Sequence, residues 1–370
     1  MTDIFYYIKE LKAEFKYLKF NLGLLFTSKK KAIYIGCTGH GNLGDELVLE
    51  ASIKLLSSKY FIYPISYTKP TSGKYLRKLF FREIDSIILG GGTIIKKNKN
   101  ESYLRLIIQF CKKYPNAELK VLGSGVADPD LALNIGFPTD KVTWRKILNN
   151  ASFIGVRGIR SKSELVEWGV NKEVKIVHDL AVYFKKDSIK SKHKKKRIGV
   201  NFCNIVGRIY GLNQKLVENF ANDIVIKLLD EGWEVWLYPT VSSDVEYMKS
   251  FFEYPVLKKL NIYENTTDIN KSLDFMESLD FFLGQRLHSI IFSAISYTPF
   301  IAIEYESKTS DFLETLGLEK YSHRTDNLCS SQVFIEIQNY YNNNLKLIQN
   351  KLFDSINLAY NEQNQLISEF

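Results

Sequence analysis

Short apolar runs that stop at glycine and pass into a helical pattern recur along the first half of this 370-residue chain. AIYIG, from Ala32 to Gly36, leads into GHGNLGDELVLEASIKLL, where Leu47, Leu55 and Leu56 fall on one helical face. IDSIILGGGTII carries Gly90-Gly91-Gly92 and is followed by a helical pattern over Tyr103–Lys113. LKVLGSGV holds Gly123 and Gly125, and ASFIGVRGIRSKSEL sets Arg157 just after Ile154-Gly155-Val156 before a helix opens. VKIVHDLAV reads as a further strand with His178 and Asp179 at its end. This alternation predicts a parallel sheet with helices on both faces.

The second half restarts the pattern. RIGVNF, WEVWLYP, LNIYEN, LDFFLGQRLH and TPFIAIEY read as strands, with helices over Asn213–Glu231, around Tyr247–Phe252, near Asn270–Ser278 and from Ser310. A chain of this length exceeds what one core serves, and the basic run Lys185–Arg197 has almost no apolar content, as a linker would. The expected fold class is therefore α/β, with two doubly wound Rossmann-like domains over 32–184 and 198–330. Residues 331–370 form a helical tail whose Ile337, Tyr341, Leu345, Ile348, Leu352 and Ile356 share a packing face and which can cross back to the N-terminal domain.

Ahead of the first strand, Ile4, Ile8, Leu11, Phe15, Leu18, Leu22 and Leu25 recur at helical spacing with lysines between them. Residues 1–31 thus read as a basic amphipathic helix, either packed on the protein or lying on an anionic membrane face. A net charge of +9 favours an anionic partner, and no recognised nucleic-acid-binding module is present. The cysteines, Cys37, Cys111, Cys203 and Cys329, show no metal-ligand or disulfide spacing, which points to a reducing, cytoplasmic setting. Neither a signal-peptide pattern nor a run of about 18 apolar residues is found, so the expected location is cytoplasmic, and peripheral on the inner membrane face if the N-terminal helix takes the second of its two readings.

Chemistry concentrates between Gly284 and Gly317. There the apolar run Phe281–Leu283 ends in a turn carrying Arg286 and His288, followed by an apolar helix start. Strand carboxyl ends are where ligands bind in open α/β sheets. An arginine offers a permanent planar cation for phosphate or carboxylate, and a histidine can exchange a proton near neutrality. Arg157 stands at another strand end, where a charged side chain either faces solvent, the slightly favoured reading, or holds an anion. At the first glycine turn, Asn42 and Asp45 read either as helix caps or as polar groups of a site.

The blocks GHGNLGDELVLEA, ILGGGTII, VLGSGV, GVRGIRSKSEL with the downstream Gly169 and Asp179, and GQRLHSIIFSAISYTPFIAIEYESKTSDFLETLG together resemble the polysaccharide pyruvyl transferase family over Ala32–Leu318. GQRLH with the following P-x-I-x-I-x-Y-x-x-K pattern is the most specific part. The resemblance implies a GT-B-like arrangement with a cleft between the domains. It also implies transfer of a pyruvyl unit from phosphoenolpyruvate to two hydroxyls of one hexose, as a cyclic ketal, without metal or other cofactor. It places donor-binding arginines at Arg157 and Arg286 and the functional histidine at His288. The chain departs from the family's Asp-Pro-Ala-Leu at Asp179-Leu180-Ala181-Val182.

The expected site then comprises His288, Arg286 and Asp45 as catalytic groups. Arg157, Arg286, His288, Gly91 and Gly92 bind the donor, and Asn42, Asp45, Asp179 and Glu306 face the acceptor, a surface-glycan sugar that can be carried on undecaprenyl diphosphate. Asp45, Asp179 and Glu306 share the role of base without a ranking. The competing reading is a nucleotide-sugar glycosyltransferase in the same frame. It would use Glu304 or Glu306 for the ribose and Tyr305 to stack on the base.

Overall fold

The computed structural model describes residues 22–23, 26–38, 41–65, 83–96, 103–134, 136, 138–189, 196–204 and 209–370. The amphipathic pattern from Ile4 to Leu25 lies outside these residues except for Leu22, as do residues 190–195 of the basic run. The chain divides into two units. One takes in the described parts of Met1–His40 with Val48–Leu180 and Gln363–Phe370, and the other takes in Gly41–Leu47 and Ala181–Glu362.

In the first unit β1 (Lys30–Ile35), β2 (Tyr60–Ile65), β3 (Ser86–Leu89), β4 (Gly92–Ile95), β5 (Glu118–Val126), β6 (Phe153–Val156) and β7 (Lys175–Ile176) form a sheet. Its order is β2-β1-β3-β5-β6-β7, with β4 also on β5, and every pairing is parallel. The order reverses between β1 and β3, which makes their carboxyl ends the topological switch point. The core gathers Ile33, Ile35, Ile87, Leu89 and Val121 with Trp144 and Leu104 from helices.

The second unit holds β8 (Arg197–Asn201), β9 (Glu234–Leu237), β10 (Asn261–Ile262), β11 (Phe281–Gly284), β12 (Phe300–Glu304) and β13 (Ser322–Arg324), again all parallel. Its order, β10-β9-β8-β11-β12-β13, is that of a dinucleotide-binding sheet, with the switch point between β8 and β11. Ile198 and Val200, Phe281 and Leu283, and Ile301 and Ile303 enter one core at the two-residue period of a strand. The tail face from Ile337 to Ile356 is buried as its spacing predicts. It is carried by helices Ser330–Asn339 and Leu345–Ser368 with a wider turn at Tyr340–Asn344.

Several elements differ from the sequence reading. YFIYPI was not read as a strand; its Pro64, which lacks an amide donor, is tolerated in β2 because that strand lies at the sheet edge. IDSIILGGGTII divides into β3 and β4 at Gly90-Gly91. Only Lys175 and Ile176 of VKIVHDLAV pair in the sheet. His178 takes a left-handed backbone, φ 61°, which ends the strand before a 3₁₀ turn at Leu180–Phe184. The helix expected around Tyr247–Phe252 runs over Ser242–Lys249 instead, with Ser242, Ser243 and Asp244 in its first turn. Leu55 is only partly buried, unlike Leu47 and Leu56. No described helix is long and apolar enough to cross a membrane.

Candidate active site

At the switch point of the second unit, Asn201 ends β8 and organises the turn after β11. Its Oδ1 accepts the Arg286 amide at 2.9 Å, its Nδ2 donates to the Tyr238 carbonyl at 2.8 Å, and its carbonyl accepts the Gln285 amide. Arg286 therefore stands, with its backbone pinned, immediately before helix Leu287–Ile295. Its side chain is paired with Asp244, Nε donating to Oδ2 at 2.7 Å and Nη2 to Oδ1 at 2.6 Å. Burial favours loss of the guanidinium's proton, but the hydrogen-bonded Asp244 carboxylate outweighs it and raises the pKa.

His288 is the second residue of that helix. The helix start Asn42–Asp45 lies against it. An added Cβ on Gly44 would come within 2.1 to 2.3 Å of the His288 Cγ, Cβ and Nδ1, so only glycine admits this approach. The Leu43 amide donates to the Thr240 carbonyl at 3.0 Å, and Asn42 Oδ1 accepts the Gly44 amide at 3.1 Å. Asn42 thus caps the helix Leu43–Leu56, and Asp45 is half-buried in its first turn.

After β12, Glu306 precedes helix Ser307–Thr315 and pairs with Lys308 at 2.6 Å. The Lys308 ammonium lies 4.6 Å from the centre of the Tyr305 ring. Burial pulls its pKa down, but Glu306 and Tyr305 prevail and raise it. Sequence reasoning passed over Lys308 as a site residue although it stands in the quoted P-x-I-x-I-x-Y-x-x-K pattern. Cys203, just beyond β8, is fully buried. Its thiol is pushed up to about 12 by burial, against the pull of Arg286, while Asp244, Lys308 and Glu306 also act on it. Arg286, Asp244, Lys308 and Glu306 are thus near enough to this thiol to act on it electrostatically.

The remaining expected residues belong to the first unit. Arg157 follows β6, its amide donating to the Ser124 carbonyl at 3.0 Å. It is 1% exposed, which corrects the expectation that it faces solvent. Its guanidinium lies over Gly125, where an added Cβ would meet Nη2 at 2.6 Å. Asp179 is buried, and Gln363 Nε2 donates to its carbonyl at 3.2 Å and to that of Val177 at 2.9 Å. The Gly91 amide donates to Tyr34 Oη at 3.0 Å, and Val48 Cγ1 lies 2.2 Å from where its Cβ would be. That amide is thus engaged within the protein, whereas Gly92 supplies a left-handed backbone, φ 96°.

Solved structures with the same fold include S. aureus MnaA with UDP (TM-score 0.55, 12% identity, 87% of this chain and 90% of that one). They also include an alpha-glucosyltransferase in complex with UDP (0.53, 10%, 92% and 100%). A third is UDP-GlcNAc 2-epimerase from Neisseria meningitidis bound to UDP-GlcNAc (0.52, 10%, 92% and 98%). At such identities the likeness establishes fold alone: two Rossmann-like domains, as in GT-B glycosyltransferases and sugar epimerases. The sequence profile of the polysaccharide pyruvyl transferase family matches residues 42–307, from the Asn42 cap through Arg286 and His288 to the helix that carries Lys308, and the chain belongs to that family.

Proposed function

We propose that the protein transfers the pyruvyl group of phosphoenolpyruvate to two hydroxyls of one hexose in a bacterial surface polysaccharide or its lipid-linked precursor. A cyclic ketal forms and phosphate leaves. The carrying observation is the β8/β11 switch point, where Asp244 fixes Arg286 and His288 lies against the Asn42–Asp45 helix start. Phosphoenolpyruvate presents a phosphate and a carboxylate, and charge-assisted hydrogen bonds contribute about 1.5–3 kcal/mol each. Arg157 keeps the donor-binding role that the family resemblance implies.

In this reading His288 delivers a proton to the methylene carbon, which becomes the methyl group, and the carbon bearing phosphate becomes electrophilic. The first sugar hydroxyl adds there; its proton passes to a carboxylate, for which Asp45, the neighbour of Gly44, is first choice, with Asp179 and Glu306 as the others. The C–O bond to phosphate breaks, and the second hydroxyl closes the ring. Of the two hydroxyl protons, one replaces that supplied to the methyl group and the other leaves on hydrogen phosphate. No cofactor enters the balance.

The nucleotide-sugar alternative draws on the fold shared with UDP-bound enzymes. It is opposed by the state of its intended residues: Tyr305 is buried, and the buried Glu304 carboxylate accepts the Ser310 hydroxyl. The deciding experiment measures phosphate release from phosphoenolpyruvate with galactose, mannose, glucose and N-acetylhexosamine acceptors. Acceptor-dependent release with a ketal product, reduced about 100- to 10,000-fold in His288→Ala, is expected. A melting temperature raised by a UDP-sugar but not by phosphoenolpyruvate, with no release, would replace the proposal by glycosyl transfer. The same proposal places the protein at an anionic membrane surface through residues 1–31; flotation with anionic vesicles, lost on deleting that segment, is the expected result.

A further inference from the structure

Asp244 sits in the first turn of helix Ser242–Lys249, after β9, the strand beside β8. It is 2% exposed, and its two carboxylate oxygens take the Nε and Nη2 edge of Arg286. A planar fork-to-fork pair fixes the guanidinium plane as well as its position. The Arg286 backbone is held independently by Asn201 Oδ1. Both ends of the side chain are therefore anchored. Among the described residues Nη1 makes no hydrogen bond, and the side chain remains 23% exposed. The backbone of one residue, Thr240, ties this pair to the helix start beside His288. The Thr240 amide donates to Asp244 Oδ2 at 3.4 Å, and the Thr240 carbonyl accepts the Leu43 amide at 3.0 Å.

We infer that Asp244 is a positioning residue: its carboxylate holds Arg286 so that the Nη1 edge is presented to an anionic group of the substrate at the β8/β11 switch point. The inference rests on the reading of Arg286 as a donor-binding residue. Asp244 touches no reacting atom. Its effect on the donor passes wholly through Arg286.

The test uses the full chain and phosphoenolpyruvate as the probe, with titration calorimetry on wild type, Asp244→Asn, Arg286→Lys and the double variant. Nitrogen-15 arginine spectra follow the Arg286 Nε–H, assigned by its absence from Arg286→Lys. Asp244→Asn is expected to weaken phosphoenolpyruvate at least tenfold and to speed exchange of the Nε–H at least tenfold. The double variant should bind no more than about twofold worse than Arg286→Lys alone, because coupled residues do not add. Unchanged affinity in folded Asp244→Asn, or fully additive losses, overturns the inference. Should Asp244→Asn not fold, Asp244→Glu keeps the charge but moves it by one methylene; at least threefold weaker binding with a protected Nε–H supports positioning, and unchanged binding overturns it. If wild type itself does not bind phosphoenolpyruvate, the donor reading fails separately. The Nε–H then decides: exchange slowed by Asp244 upholds the positioning, and exchange indifferent to Asp244 ends it.

Discussion

Arg157 follows β6 in one sheet and Arg286 follows β11 in the other, and the two arginines stand in different surroundings. Arg157 follows β6, away from the β1/β3 switch point of its unit, and is buried against the glycine of a neighbouring strand. Arg286 stands on the switch point of its own unit, partly exposed, with one edge taken by a buried carboxylate. A guanidinium removed from water must be compensated, since uncompensated burial costs several kcal/mol. What the pair teaches is that strand-end position alone does not give a cation its role. Strand order and the partner on the next strand do.

The largest effect that would break this comparison is expected from Arg286→Ala. It strands the buried Asp244 charge and should cost about 3–5 kcal/mol in chemical denaturation. Arg286→Met combined with Asp244→Leu should recover much of that stability while phosphoenolpyruvate binding stays lost; recovery of binding would deny Arg286 its role. A smaller effect sharpens the contrast between the two glycines. Gly44→Ala meets the His288 Cβ at 2.2 Å, close to backbone, whereas Gly125→Ala meets the far end of Arg157. Overpacking of this kind costs about 1–3 kcal/mol, with Gly44→Ala at the upper end and phosphate release falling with it. Equal costs, or activity retained in Gly44→Ala, would contradict the contact.

The smallest effect is a pH dependence. Folding lifts the Cys203 thiol from 9.0 to about 12. Between these values the unfolded chain has released the proton and the folded protein has kept it. The contribution is therefore complete below pH 9 and is lost as pH rises towards 12, by up to about 1.4 kcal/mol per pH unit. Urea denaturation from pH 8 to 10 should show a shallower fall in Cys203→Ala than in wild type. Parallel curves would place the thiol in contact with water.

Much of the architecture was legible because it is local. The helix over Tyr103–Lys113 was read with its observed bounds, and that expected over Asn213–Glu231 is observed at Gln214–Asp230 between the caps Asn213 and Glu231. The turn after β11 announced Arg286 and His288 through an apolar run stopping at glycine. Asp244 was missed because nothing nearby in sequence marks it; in its own segment it is simply a first-turn acid on a surface-like helix. Lys308 was missed for a different reason, since it was in plain view within a quoted pattern but its pairing with Glu306 and contact with Tyr305 were not. Gly91 was expected to bind the donor, and Tyr34 and Val48 engage its surroundings from other elements.

Apolar period, glycine and capping residues by themselves determined that this chain forms parallel α/β units with an arginine and a histidine at one strand end. These depend on backbone geometry and burial within a few residues, so they are written locally. Tertiary structure alone decided which arginine reaches a switch point, that Asp244 holds it, that Arg157 is buried, and that Gly44 closes on His288. Each of those is a meeting of side chains from segments far apart in the chain, fixed by strand order and by packing that tolerates neither an unpaired buried charge nor an extra methyl group.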